Sequence, residues 1–230
     1  VRNASVFGGV FSVDLKPRVR LDNRMDFNCP NCGHPIPDKV KTAVMLTCPS
    51  CDTTLYVQSD KLLNAGTSGE MHDGPQLFSI GDIVKLGRKA WEVLGHARFS
   101  YGRGWWDEYW CEDPKGAGAW ISVDEGDIVI QVPVDESAEQ PALRTNSRIG
   151  MPFEWHREHF RVVETGNGEC VAVRGVFGER IVVGDTFSYA NAQGDEGTLL
   201  SAETDGTGTA WFTGEWHDPF EVSGTLTVVS

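Results

Sequence analysis

Residues 127–134 of the chain have the sequence DIVIQVPV. Apolar, mostly β-branched side chains occupy every second position: Ile128, Ile130, Val132 and Val134. Alternate side chains of a β-strand point to opposite faces, so this spacing predicts a strand with one buried face. Pro133 has no backbone N–H to donate, which predicts that the strand ends there or lies at a sheet edge.

Short runs of similar composition occur before and after this segment. They include IVKL, AWEVLG and AWISV before it and FRVVE, RIVVGDTFSYA and TAWFTGEW after it, with glycines between many of them. Runs of this length that are rich in β-branched and aromatic residues predict strands joined by turns. We therefore expect a mainly β fold with an antiparallel β region of two units and little helix. One segment, Phe153–Phe160, has the spacing of a short helix, although its Trp and His content also suits a strand or loop.

Two polar stretches divide the chain. Residues 59–76 and 135–147 carry Gly, Ser, Asn, Asp and Pro without apolar periodicity, which is typical of connecting segments. The predicted organisation is an N-terminal arm or edge strand at 1–27, a zinc ribbon at 28–58, a linker at 59–76, a first β unit at 77–134, a linker or long loop at 135–147, and a second β unit at 148–230. The tetrapeptides SIGD (79–82) and VVGD (182–185) leave open whether the two units are a duplication.

The cysteines give the most specific pattern. Cys29, Cys32, Cys48 and Cys51 form a C-x2-C-x15-C-x2-C array. Each C-x2-C turn can direct two thiolates at one ion, and four thiolates match the tetrahedral shell that Zn²⁺ prefers. A shell of four protein ligands leaves no position for water, so the predicted zinc is structural. Iron in a rubredoxin-like site uses the same ligands, and two disulfides are the other alternative.

The cysteine pattern also leads to expectations about how the ribbon folds and in which compartment the protein lies. A ribbon of this size has too little apolar surface to fold without its metal, so metal binding and folding should be one event. The cysteine spacing and the lack of a recognisable secretory signal favour a reducing, cytoplasmic compartment. No stretch has the roughly 20 apolar residues that a membrane span needs.

The charge of the chain is strongly asymmetric. Residues 1–60 hold seven basic and six acidic side chains, whereas residues 61–230 hold thirteen and twenty-seven, and the whole chain has a net charge of −13. An acidic surface repels phosphate backbones, which argues against nucleic acid as a partner. Lys39 and Lys41 in the ribbon keep nucleic-acid binding open as an alternative. Acidic surfaces attract cations, so a basic protein or a polyamine is a candidate partner.

Carboxylates near aromatic residues keep an enzyme open as a further alternative. Glu108, Glu203 and Glu215 are the candidates, although such tryptophan-rich runs more often form the core of small β domains. His156 and His159 lack the H-E-x-x-H order of metalloproteases, so solvated positions are favoured over a second metal site. No catalytic residue is assigned from sequence.

Several short motifs occur in a familiar order. After the CPNCG and CPSC turns come Ile80-Gly81-Asp82, Trp106-Asp107-Glu108-Tyr109, Trp120-Ile121 and Val173–Glu179. Over roughly residues 28–220 the chain resembles bacterial proteins of the domain of unknown function 4178 family. Arg180 stands where that family has a Trp. The resemblance implies no established activity; family genes lie near polyamine-synthase-like and membrane-stress genes, which implies an accessory role.

Together these observations favour a non-enzymatic adaptor or binding protein ordered by structural zinc. A protein partner is expected, and a cationic ligand such as a polyamine is a second expectation.

Overall fold

The computed structural model describes residues 27–36, 43–58, 61–71, 76–86, 88–124, 126–135 and 139–225. Apart from Phe27, the predicted N-terminal arm lies outside the described residues. Sixteen strands are described: β1 Phe27–Asn28, β2 Pro35–Ile36, β3 Met45–Thr47, β4 Thr53–Gln58, β5 Lys61–Thr67, β6 Ile83–Leu86, β7 Lys89–Ser100, β8 Trp105–Glu112, β9 Gly118–Asp124, β10 Asp127–Pro133, β11 Pro152–Trp155, β12 Glu158–Phe177, β13 Thr186–Gly194, β14 Thr198–Thr204, β15 Thr209–His217 and β16 Ser223–Thr225.

The mainly β prediction is confirmed. The described residues contain no α-helix, and their one helical element is a 3-10 turn at Pro219–Glu221. That turn begins at Asp218, whose side chain accepts the N–H of Phe220. No helix in this part of the chain is long and apolar enough to cross a membrane.

Eight of the strands form a closed ring of antiparallel pairs. The order around the ring is β7, β8, β9, β10, β15, β14, β13 and β12, and β12 pairs again with β7. Val129 lies opposite Trp216 where β10 meets β15, and Val173 lies opposite Ala97 where β12 meets β7. Closure pairs the backbone of both would-be edge strands, which leaves the ring without an open edge.

Strand β12 is long enough to serve three partners. Its first half pairs with β13, its second half pairs with β7, and its last residues, Val176 and Phe177, pair with β3. Register shifts after Val162 and after Cys170 bend the strand as it passes from one partner to the next. Through β12 the small sheet of β3, β4 and β5 continues the sheet of the ring.

Aromatic side chains fill much of the inner face of the ring. Residues directly opposite each other in an antiparallel pair share a face, so the register assigns one face of every ring strand to the interior. The inner-face core includes Phe99, Trp106, Trp110, Trp120, Phe187, Tyr189 and Phe212. The outer face carries two further clusters, one around Tyr109 under β6 and one around Leu200 under Leu143 and Trp155.

The DIVIQVPV segment is strand β10, and it ends at Pro133 as predicted. Its burial differs from the one-faced prediction. Ile128 packs on the outer face, but Val129 and Gln131 are also fully buried because they face the interior of the ring. Gln131, the polar residue of the alternating pattern, therefore lies inside the ring.

Of the two interpretations of Phe153–Phe160, the helix is wrong and the strand or loop is confirmed. This segment is the hairpin between β11 and β12, with Phe153 opposite Phe160 and their rings stacked at 5.5 Å. His156 and Arg157 form the turn with positive φ angles of 51° and 68°, as a two-residue type I′ turn requires. Apolar residues seven apart fit both a helix face and this cross-strand pair, so spacing alone could not separate the two.

The predicted linker at 59–76 contains strand β5, which pairs along β4. The first β unit contributes β7–β10 to the ring and the second contributes β12–β15. The domain boundaries and the duplication remain predictions.

Candidate metal centre

Two similar turns present the four predicted cysteines. In the first turn the N–H of Gly33 donates to the carbonyl of Cys29 at 2.8 Å, and in the second the N–H of Asp52 donates to that of Cys48 at 3.0 Å. Gly33 and Asp52 directly follow the second cysteine of each turn and have positive φ angles of 75° and 54°. The turn therefore brings each C-x2-C pair to one side of the backbone.

The four sulfur atoms lie close together. All four Sγ atoms are within 4.8 Å of one another. The distance between Sγ atoms is 3.7 Å for Cys29 and Cys51 and 3.7 Å for Cys32 and Cys48. A tetrahedron with metal–sulfur bonds of about 2.3 Å has edges of about 3.8 Å. None of the six cysteines forms a disulfide among the described residues, so the cluster could hold a metal ion.

Polar neighbours favour the charged form of one thiol. Thr53 Oγ1 lies 3.2 Å from Cys51 Sγ, and Asn31 Nδ2 donates to Thr53 Oγ1 at 2.9 Å and towards Cys51 Sγ at 3.6 Å. The hydrogen bonds from Thr53 lower the pKa of Cys51 to about 6. Asn31 and Thr53 therefore support a thiolate ligand from outside the sulfur shell.

The opposite side of the cluster is apolar. Cys29 and Cys48 are buried beside Leu46 and Leu55 in a small core of their own. Burial raises the pKa of the Cys48 thiol to about 12. A metal ion that binds here must displace this proton, because only the thiolate is a strong ligand.

The cluster is joined to the ring by strand pairing and by side-chain packing. Leu46 and Met45 of β3 lie opposite Val176 and Phe177 of β12. Met45 is fully buried within the inner-face core, where its sulfur accepts the backbone N–H of Ile181. On the outside, the guanidinium of Arg180 lies 4.6 Å from the ring centre of Tyr56.

The remaining metal and thiol candidates take ordinary structural positions. His34 is exposed beside the first turn. His159 is exposed and lies 4.0 Å from Glu154, and no second group of three metal-ligand atoms occurs within the described ranges. Cys111 and Cys170 are buried, and burial raises both pKa values, so neither is an activated nucleophile. Lys39 and Lys41 lie outside the described residues.

The three carboxylate candidates do not all meet. Glu108 and Glu203 are fully buried on the inner face of the ring, whereas Glu215 is exposed on the outer face. Glu108 accepts hydrogen bonds from Trp106 Nε1 and Ser122 Oγ, both at 3.0 Å. An enzymatic site built on all three carboxylates is therefore not formed.

Sequence reasoning missed most of the polar inner face. Asp124, Gln131, Asn191 and Ser201 are all buried there. In the sequence, these residues are marked only by their alternation with apolar neighbours. Polar residues on a solvent-exposed face of a strand show the same alternation. Closure of the ring turns that face inward.

The fold and the cluster define an all-β protein with a closed antiparallel ring and an attached four-cysteine centre that could hold a metal ion. The chain belongs to the family described as Domain of unknown function (DUF4178), whose model matches residues 79–219, more than half of the chain. The match covers β6–β15, and the cysteines lie before it. No curated protein and no solved structure matches the chain.

Proposed function

We propose that the protein is a non-enzymatic adaptor or binding protein whose N-terminal region is a zinc ribbon ordered by structural Zn²⁺ on Cys29, Cys32, Cys48 and Cys51. The observation that carries the proposal is the clustering of the four sulfur atoms within 4.8 Å of one another, with two pairs at 3.7 Å. Zn²⁺ suits a shell of four thiolates, and such a closed shell leaves no open position for a reacting water. The proposed role of the metal is therefore to hold structure.

The adaptor role is supported by how the cysteine centre is attached. Strand β3 pairs with β12, and Met45 anchors it in the inner-face core, so an ordered ribbon is a fixed projection from the ring. A protein partner could bind that projection in a cytoplasmic, reducing compartment. The family resemblance extends this to an accessory role beside polyamine-related or membrane-stress proteins. The net charge of −13 supports a cationic ligand as well.

Metal analysis of the purified chain tests the metal part of the proposal. We expect one zinc per chain by elemental analysis, and we expect Cys48→Ser to lose most of it. Cys111→Ala is the matched control, because Cys111 is also buried but lies outside the cluster. Iron as the bound element would replace zinc in the proposal, and full zinc retention by Cys48→Ser would refute the ligand assignment.

A pull-down from the native host tests the adaptor part. The intact protein is compared with the double variant Cys29→Ser, Cys32→Ser, and bound proteins are identified by mass spectrometry. A stable partner that the variant loses supports binding through the ribbon. A partner retained by both places the binding surface on the ring, and recovery of no specific partner contradicts the adaptor role.

A further inference from the structure

The four cysteines of the metal centre differ in their exposure to solvent. Cys32 is exposed and Cys51 is half-buried. Cys29 and Cys48 are buried, with 2% and 0% of their surface exposed. Each turn therefore presents one accessible and one buried cysteine. In both turns the accessible cysteine is the second one, as expected of two turns with similar geometry.

The sulfur positions pair each accessible cysteine with a buried cysteine of the other turn. Cys32 Sγ lies 3.7 Å from Cys48 Sγ, and Cys51 Sγ lies 3.7 Å from Cys29 Sγ. The two sulfur atoms of a disulfide are about 2.05 Å apart, so each pair has to close by about 1.7 Å. Rotation of a cysteine side chain in an accessible turn can supply a movement of this size.

An accessible thiolate beside a second cysteine is the arrangement of a peroxide-sensitive site. Peroxides oxidise accessible thiolates to sulfenic acids, and a neighbouring cysteine converts the sulfenic acid to a disulfide. A cysteine binds zinc as its thiolate, so Cys32 and Cys51 have the reactive form in the zinc-loaded ribbon. Cys111 and Cys170 are both buried and lie outside the cluster, so they do not share this arrangement.

We propose that the cysteine centre is a redox-sensitive site in which hydrogen peroxide links Cys32 to Cys48 and Cys51 to Cys29, with release of the bound zinc. The inference rests on the zinc ribbon of the proposed function and adds a regulation of that same site. Both links join one turn to the other, so the disulfides replace the metal as the connection between the turns.

Each link consumes one molecule of hydrogen peroxide. The thiolate sulfur of the accessible cysteine attacks one oxygen, so that an S–O bond forms, the O–O bond breaks and hydroxide leaves. The thiolate of the buried cysteine then attacks the sulfenic sulfur, so that the S–S bond forms, the S–O bond breaks and a second hydroxide leaves. Both hydroxides take up protons and become water. The two sulfurs lose two electrons in total, and as a disulfide they are no longer thiolate ligands for zinc.

The rate of zinc release from the zinc-loaded full chain tests the metal part of the inference. Free zinc is measured with a chelating dye after addition of hydrogen peroxide, and dye without peroxide is the control. We expect release to be about tenfold faster or more with peroxide, and dithiothreitol with added zinc should restore the zinc content, because disulfide formation is reversible. Equal rates with and without peroxide would overturn the proposal.

Disulfide mapping tests the pairing of the cysteines. Trypsin cuts between the two turns, after Lys39 and Lys41, so each turn lies in its own peptide. After treatment with about one equivalent of peroxide, the protein is unfolded and alkylated in mild acid, which prevents thiol–disulfide exchange. We expect the two peptides to be linked through one proposed pair, with the alkyl label on both cysteines of the other pair. A link inside one turn, or a link that joins the two accessible or the two buried cysteines, would overturn the proposal.

A double variant tests the role of the accessible sulfurs. Cys32→His, Cys51→His keeps four side chains that can bind zinc but removes both accessible thiolates. We expect the variant to bind zinc and to release it with peroxide about tenfold more slowly than the parent. Cys111→Ala is the matched control and should release zinc at the rate of the parent. Release from a zinc-bound double variant as fast as from the parent would show that the buried cysteines react directly and would contradict the proposal.

The measurements on the parent chain decide the proposal even where the double variant binds no zinc. They also separate this inference from the proposed function. A purified chain without zinc would contradict the zinc ribbon, and disulfide mapping on that chain would still test the pairing of the cysteines. Zinc that is bound but not released by peroxide would remove this inference alone.

Discussion

Gly33 and Asp52 occupy the same place in the two cysteine turns, and both have positive φ angles. A non-glycine residue in this conformation costs about 1–2 kcal/mol unless its side chain compensates. A Cβ on Gly33 would meet no atom within 4 Å, so Gly33→Ala introduces backbone strain and no clash. We expect Gly33→Ala to lower the stability of the zinc-loaded protein by about 1 kcal/mol, measured by chemical denaturation.

Asp52→Gly is the reciprocal change. It relieves the strain at the second turn, so the stability of the variant should equal or exceed that of the parent. Destabilisation by Asp52→Gly comparable to that of Gly33→Ala would contradict the strain argument for this turn.

The carboxyl of Glu179 should make the stability of the protein depend on pH. It accepts a 2.5 Å hydrogen bond from Trp120 Nε1, and burial raises its pKa to about 8 despite that bond. The folded protein therefore holds this proton more tightly than the unfolded chain, whose Glu pKa is about 4.3. Stability from this group is full below about pH 4 and falls by up to about 1.4 kcal/mol per pH unit until about pH 8.

Glu179→Gln should flatten this part of the pH–stability curve, because an amide does not ionise. Denaturation at pH 5, 6.5 and 8 measures the slope, with the exposed Glu215→Gln as a control that should keep it. An unchanged slope in Glu179→Gln would assign the pH dependence to other groups.

At the scale of elements, the turn between β11 and β12 shows a local conflict. His156 and Arg157 both have positive φ angles in a turn that favours Asn-Gly, although the His156 ring stacks on Trp155 at 3.8 Å. Arg157→Gly keeps this stack and removes one strained position. We expect it to raise the free energy of unfolding by roughly 0.5–1 kcal/mol. A loss of stability would show that the Arg157 side chain has a contact that outweighs the strain.

The two Gly-Asp tetrapeptides show what sequence could and could not predict about elements. Gly81 donates to the carbonyl of Val93 at 2.8 Å, and Gly184 donates to that of Cys170 at 2.7 Å, with φ angles of 96° and 95°. The turns are alike, as the repeated sequence predicts. Their partners differ in order, because Val93 follows its turn along the chain and Cys170 precedes its turn. A shared turn alone therefore does not require a duplication.

Local patterns predicted the strands and the cysteine turns because alternation, turn residues and C-x2-C spacing are short-range signals. The ring closes through β10 with β15 and β7 with β12, which join residues far apart in sequence. The spacing of apolar residues along the sequence carries no information about these long-range pairs. The sequence therefore could not show that the polar face of β10 points into the ring. Gln131 was therefore indistinguishable from a solvated residue.

At the scale of the whole molecule, the ring and the cysteine centre have separate cores that meet where β3 and β4 lie beside the end of β12. The inner-face core is held by aromatic packing, whereas the small core around Leu46 and Leu55 includes two of the cysteines. Met45 of β3 and Tyr56 of β4 pack on the inner-face core, and Val176 of β12 packs on the cysteine core. The two regions should therefore differ in how they respond to loss of metal.

Removal of metal should unfold the cysteine centre and leave the ring folded. A core of a few residues cannot offset the entropy of ordering its chain, whereas the ring closes all its strand pairs without the metal. In hydrogen exchange after chelation, we expect the amides of β3 and β4 to lose protection, those of β8 and β9 to keep it, and Val176 and Phe177 to be intermediate. Re-addition of zinc should restore β3 and β4. Cooperative loss of protection in all strands would show that Met45 couples the two cores into one folding unit, and unchanged protection in β3 would show that the centre is ordered without metal.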